Sequence, residues 1–207
     1  MSNAGQLLRL ALACRQNMRM VAEAEWFWQQ QCEHLGWLSS ASPWFDYFRL
    51  RMASRWRLRT LMRKYMPFLN IHSRLAFEPG ASIAQLAAVE DRLGMRLPWE
   101  LWEVLRFRAG QAAGGHVSFV DSCRLLGLNE LHVLHIDAPA RPSLSPKAAA
   151  PGAAAASGSK AVIAFLSNTM GSTAYGVAQD ASVHIVRGFT QRRVAGSMSG
   201  FLQHLLT

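Results

Sequence analysis

Apolar residues recur at helical spacing through the first part of the chain. Leu7, Leu8, Leu10, Ala11 and Cys14 share one face, and Val21, Ala24, Trp28 and Cys32 continue at three- and four-residue intervals. This spacing predicts two helices over 5–33, closed by Gly36. Ser42 before Pro43 is a helix start with Pro at the first helical position. A long helix is expected from Pro43 to Tyr65, with Phe45, Phe48, Met52, Trp56, Leu58, Leu61, Met62 and Tyr65 as apolar surface and Pro67 as its stop. After the Pro79-Gly80 turn, Ser82 caps a helix through Leu93, with Leu86, Val89 and Leu93 inward and Gly94 at its end. Pro98 opens another, with Leu101, Trp102, Leu105 and Phe107 as its apolar set, ending at Ala109-Gly110.

From Val117 the periodicity changes. Segments 117–120, 125–128 and 131–136 read as extended, 161–166 is a continuous β-prone run, and 173–177 with 183–186 form a hairpin across the turn 179–182. A closing helix begins near Ser197, with Phe201, Leu202 and Leu205 inward. Between Ala138 and Lys160 the chain is rich in Ala, Pro, Ser and Gly and lacks large apolar side chains. It reads as a flexible insertion between two strands. The expected fold class is α+β: helices 5–37, a linking helix 42–70, and a mainly antiparallel sheet with packed helices over 75–207.

Half the residues are hydrophobic, seven of them Trp, which is enough to build a core. No apolar run reaches the roughly 18 residues that a membrane span needs, and Met1 to Gly5 has no basic n-region, so neither a membrane partner nor a signal peptide is expected. Cys14, Cys32 and Cys123 are widely spaced and odd in number, which points to reduced thiols and a cytoplasmic or nuclear setting. The net charge of +9 is concentrated on the long helix, where Arg49, Arg51, Arg55, Arg57, Arg59, Arg63 and Lys64 fall. Such a stripe suits an acidic partner or nucleic acid. It equally suits a solvated face whose Arg stems cover apolar surface, and that reading is preferred because no recognised nucleic-acid motif accompanies the stripe.

The candidate chemistry is sparse. His132 and His135 lie near His116 and Cys123, but a spacing of three on a strand puts the two histidines on opposite faces, so no metal site is expected. The segment 168–173 lacks the Gly-Lys-Ser/Thr of a P-loop and reads as a hairpin turn. Cys14 and Cys32 lie on apolar helix faces, as buried structural thiols do, and the lone carboxylate of Glu90 is read as a structural hydrogen-bonding partner. Trp102 is expected in the core and Trp99 at the surface. Arg187-Gly-Phe-Thr-Gln-Arg-Arg193 reads as a loop whose arginines offer bidentate donors to an acidic peptide, or equally as a plain solvated loop. No nucleophile, base and oxyanion set assembles from the sequence, so neither catalysis nor a cofactor is expected.

Several of these residues carry a resemblance. Pro79-Gly-Ala-Ser82, Val89-Glu90, Leu93-Gly94, Leu97-Pro98, Arg108-Ala-Gly-Gln111, Leu125-Leu-Gly127 and Ser199-Gly-Phe-Leu202 follow in the order and spacing of the SUKH superfamily, so that 75–206 resembles this α+β interaction fold. In front of it, Leu7-Leu-Arg-Leu-Ala-Leu-Ala-Cys-Arg15, Ala24-Glu-Trp-Phe-Trp28 and Cys32 look like the second half of an F-box. These 207 residues show no counterpart of the F-box's opening Leu-Pro helix or of the ApaG-type domain found in F-box proteins with a SUKH segment. The resemblance implies a non-enzymatic, substrate-recruiting adaptor of a cullin-type ubiquitin ligase. Leu7, Leu8, Leu10, Trp26 and Trp28 would face a Skp-family linker. Trp99, Arg187, Phe189, Arg192 and Arg193 would face a substrate protein. A stand-alone SUKH scaffold or immunity-type binding protein is the alternative, with a basic nucleic-acid binder behind it.

Overall fold

The computed structural model describes residues 24–37, 43–114, 116–136, 160–188 and 190–207. Leu7, Leu8, Leu10 and Phe189, and all but the last residue of the proposed insertion, lie outside the described residues. The chain divides into two compact units, Met1–Arg57 and Leu58–Thr207. Its elements are helices α1 (Glu25–His34), α2 (Trp44–Tyr65), α3 (Ile71–Leu75), α4 (Ile83–Leu93), α5 (Trp99–Phe107) and α6 (Met198–His204), and strands β1 (Arg124–Leu125), β2 (His132–Ile136), β3 (Lys160–Ser167), β4 (Thr173–Ala178), β5 (Val183–Arg187) and β6 (Thr190–Ala195). This is an α+β fold with an antiparallel sheet.

In the first unit an aromatic core joins α1 to the start of α2. Trp28 is wholly buried, with its ring centroid 5.1 Å from Phe45 and 4.9 Å from Phe48, and Trp37 closes on Phe48 at 5.9 Å. The backbone N–H of Trp44 donates to Glu25 at 2.6 Å, so a carboxylate from α1 satisfies an orphan donor at the start of α2. Basic residues of this stretch also have local partners. Arg51 donates to the Tyr47 hydroxyl at 2.8 and 3.0 Å, Arg49 pairs with Asp46, and Arg55 lies over the Trp37 ring.

The second unit is built on the sheet, in the order β1-β3-β4-β5-β6, with β2 also pairing with β3. Residues 162–166 of β3 are buried in succession, because both faces of this strand are covered. Phe165 packs edge-on against Phe201 of α6 at 6.0 Å, and Val162 joins Ile136 and Ala178 in a smaller cluster. Ser82 caps α4 in a capping box with Gln85, and Gly94 ends it at φ 65°, a left-handed conformation that Gly adopts without penalty.

Three expectations are corrected. Residues 117–120 form no strand. Val120 and Cys123 instead close a tight turn through Asp121 and Ser122, both at positive φ. Residues 125–128 are extended only at the start, giving way to a 3-10 turn over Leu128–Glu130. The segment expected as a loop belongs to a hairpin, with Arg187 ending β5 and residues 190–193 lying in β6, which pairs with β5. Its second strand, β6, lies at the sheet edge, where one apolar face is not required, so its sequence carries two exposed arginines instead of an alternating pattern.

Candidate functional site

The segment 76–81 runs alongside 105–112 through backbone bonds: Glu78 N to Gly110 O (3.0 Å), Ala81 N to Leu105 O (3.0 Å) and Ala112 N to Ala76 O (2.8 Å). Gly80 makes this approach possible, since a Cβ there would stand 1.9 Å from the Arg106 carbonyl oxygen. Gly110 allows a second approach, where a Cβ would meet the Gly127 Cα at 2.6 Å. The wholly buried Gln111 locks the layers together. Its side chain donates to Ser73 O at 2.8 Å and accepts from Leu125 N at 2.9 Å.

These close approaches form the floor of an open cleft of about 730 Å³. One wall is the α4 face of Gln85, Ala88, Val89 and Arg92, and the other is the 127–130 turn. Arg92 donates to the carbonyls of Leu131 (3.0 Å) and Leu128 (2.7 Å), tying the walls together. Glu130 takes both amino groups of Arg124 and the N–H of Gly127, and the bond to Arg124 holds its carboxyl below the usual range. Glu78 and Glu130 are the cleft's carboxylates. Among the described residues its lining holds no Ser, Thr, Cys, His or Lys, so none of these can act as a hydroxyl, thiol or amine nucleophile. The size is that of a ligand cleft.

Residues that are distant in the sequence converge here. Pro79, Gly80, Val89, Ala109 and Gly127 line the cleft, and Ser82 caps its α4 wall. Glu90, as expected, is a structural acceptor: it takes the Leu97 N–H at 2.8 Å and the Arg96 guanidinium at 2.9 Å.

The described partner residues differ in burial and in what they touch. Trp28 must be corrected from contact to core, because it is wholly buried, whereas Trp26 is 66% exposed. Trp99 is half-buried. Arg187 is already engaged by Asp121 at 3.1 Å. Arg192 pairs in register with Ile185 and Arg193 with His184, so the two exposed arginines of β6 project from opposite faces. His132 and His135 are exposed on β2, while Cys123 is buried, and no group of three or more potential metal ligands occurs among the described residues. Burial pushes the thiols of Cys32 and Cys123 up to about 11, so neither is a thiolate nucleophile at neutral pH.

Two polar clusters escaped the sequence reading. Glu100, buried at the start of α5, accepts from the Met198 and Ser199 backbone N–H groups and from the Ser199 hydroxyl, and so caps α6 from another helix. At the β4–β5 turn, the Ser182 hydroxyl meets Asp180, His184 Nε2 (2.9 Å) and Lys160 Nζ (3.1 Å). The residue types are those of a hydrolase, but the order is not. Asp180 bonds Ser182 and Lys160 rather than orienting His184, and Ser182 is 1% exposed. Nothing in the periodicity marks either cluster, because both join residues from different elements.

A scan against protein-family models finds no match, and a search of curated proteins finds none. No helix among the described residues is long and apolar enough to cross a membrane.

Proposed function

We propose that this chain is a non-enzymatic protein-interaction module that recruits substrate to a cullin-type ubiquitin ligase. The cleft between α4 and the 127–130 turn supports this reading, being of ligand size and open, with a described lining that holds no Ser, Thr, Cys, His or Lys. The same residues supply much of the resemblance to the SUKH superfamily. Exposed Trp26, beside the buried Trp28–Cys32 face of α1, fits a helix that packs on its own unit and leaves one large ring for a linker protein. The test is reconstitution. The full chain should co-purify with a purified Skp-family linker and cullin, and Trp26→Ala should weaken that association. Failure of the folded chain to bind the linker would remove the ligase role.

One observation favours a stand-alone scaffold as the second reading: Leu58–Thr207 is compact by itself and contains the whole cleft. On that reading Leu58–Thr207 accounts for all partner binding, and a Trp26→Ala variant retains it in full.

A further inference from the structure

The helix α3 buries its small polar side and exposes its large apolar one. Its middle residue, Ser73, is wholly buried. The Ser73 carbonyl accepts from the Gln111 side chain at 2.8 Å, and the Ser73 hydroxyl accepts from the Ser118 N–H at 2.8 Å. The Ser73 N–H donates to the capping side chain of Asn70 at 2.7 Å. These bonds commit the Ser73 side of the helix to the interior. Ile71 and Leu75, two positions before and after Ser73, share the opposite face, and each is more than half exposed. Phe68 is exposed as well, three residues before Ile71 and so within about 11 Å of it along the chain. Among the described residues of Leu58–Thr207, the large apolar side chains that stand exposed are these three and Met170.

Single exposed apolar residues are ordinary, but a cluster held outward by buried hydrogen bonds is not. Its surroundings are basic. Residues 63–77 include Arg63, Lys64 and Arg74 and no Asp or Glu. The next carboxylate, Glu78, lines the cleft. Arg74 stands about 60° round α3 from Ile71 and so borders the apolar face, while Lys64 comes four residues before Phe68. Both cations are exposed and form no ion pair among the described residues.

We propose that the outer face of α3, with Phe68, docks an acidic amphipathic helix of a protein partner. Apolar residues of that helix cover Ile71 and Leu75, and its flanking carboxylates meet Lys64 and Arg74. A second copy of the chain fits less well. A two-fold interface centred here would set Arg74 against Arg74 and Lys64 against Lys64, on chains that each carry a net charge of +9. A lipid surface also fits less well, since α3 has five residues, whereas helices that lie in a bilayer interface run for several turns with cations along their length. None of the three apolar residues lines the cleft, and the surface stands independently of the ligase reading.

The test titrates the full chain with a helical peptide of about 16 residues, with Leu at i, i+3, i+4 and i+7 and Glu and Ala elsewhere. The comparisons are the same peptide with Lys in place of Glu, and vesicles of phosphatidylserine and phosphatidylcholine. The acidic peptide is expected to bind at least about tenfold more tightly than the Lys peptide, and Leu75→Ser and Arg74→Glu are each expected to weaken it by about tenfold. Amide shifts on binding should centre on residues 68–75. Leu75 is exposed, so its variant should keep the wild-type melting temperature. Equal affinity for the two peptides, no binding of the acidic one, wild-type affinity in a folded Leu75→Ser variant, tighter binding to the vesicles, or a dimer that Leu75→Ser dissociates would each overturn the proposal.

Discussion

Tyr175 donates its hydroxyl hydrogen to Asp121 at 2.6 Å, so the 120–123 turn is held by a residue of β4. Asp121 sits at φ 47° and Ser122 at φ 62°, left-handed positions that Asp tolerates better than most residues but that still cost free energy. The carboxylate pays for its own strained backbone by accepting from both Tyr175 and Arg187. Tyr175→Phe removes one of these bonds without changing shape. It is expected to lower stability by about 1–2 kcal/mol, read from the denaturant midpoint at an unchanged slope. It also follows that Arg187→Gln will loosen the 120–123 turn, an effect visible as faster amide exchange at Ser122 and Cys123.

Two glycines should fail in different ways. Gly80→Ala places a methyl group 1.9 Å from a backbone carbonyl that cannot move aside, and a loss of about 3 kcal/mol or more is expected. Gly94→Ala meets nothing within 4 Å and should cost only the left-handed conformation, about 1 kcal/mol. Equal melting temperatures for the two variants would contradict the close approach beneath the cleft.

Glu100→Gln keeps the shape of the side chain but replaces a carboxylate that satisfies two backbone donors and a hydroxyl in the core. A loss of about 2–3 kcal/mol is expected, with α6 the first element to exchange its amides. A neutral result in thermal unfolding would show that this carboxylate does not anchor α6.

Stability should fall at both pH extremes for identifiable reasons. In acid, Asp180 is held below its usual range by its bonds to Lys160 and Ser182, and Glu130 by its bond to Arg124. A depressed folded pKa means that the contribution is present above the unfolded values of 3.8 and 4.5 and is lost as pH falls through the folded ones. In alkali, Cys32 and Cys123 go the other way. Their contribution is complete below the unfolded value of 9.0 and disappears as pH rises toward about 11. Denaturant titrations across pH should show both shoulders, and Cys32→Ser with Cys123→Ser should flatten the alkaline one. Both thiols should resist alkylation in the native protein at pH 8 and react once it unfolds.

Trp26 and Trp28 differ by two positions and should differ greatly in effect. Trp28→Ala empties the aromatic core of the first unit and should cost about 3–5 kcal/mol, whereas Trp26→Ala, at a position 66% exposed, should leave stability within about 0.5 kcal/mol. Tryptophan fluorescence during denaturation separates the two.

Much of the architecture was legible in the sequence because it follows local rules. Ser82 and Gly94 bound α4 through capping chemistry, Pro67 follows directly on the long helix, and the apolar run 161–166 marks the central strand. The edge strand β6 was not legible, since Thr190-Gln-Arg-Arg-Val-Ala195 buries too little to show a period. The cleft was legible only in pieces. Pro79-Gly80, Val89, Ala109-Gly110 and Gly127 each looked like turn or packing residues, and only tertiary contact brings them together. The ring of Phe107 shows the same limit. Arg59 and Arg63, which lie over it, read as part of a stripe along one helix, while Arg108, which also lies over it, belongs to another element altogether.

Ile136 and Lys160 are direct partners in the β2–β3 ladder, so the chain leaves the sheet and re-enters it on adjacent strands, about 5 Å apart. The ladder itself therefore clamps the two ends of whatever sequence joins them. That junction is a natural port for engineering: a reporter domain whose own termini lie close together can be spliced between Ile136 and Lys160 without asking either strand to change register.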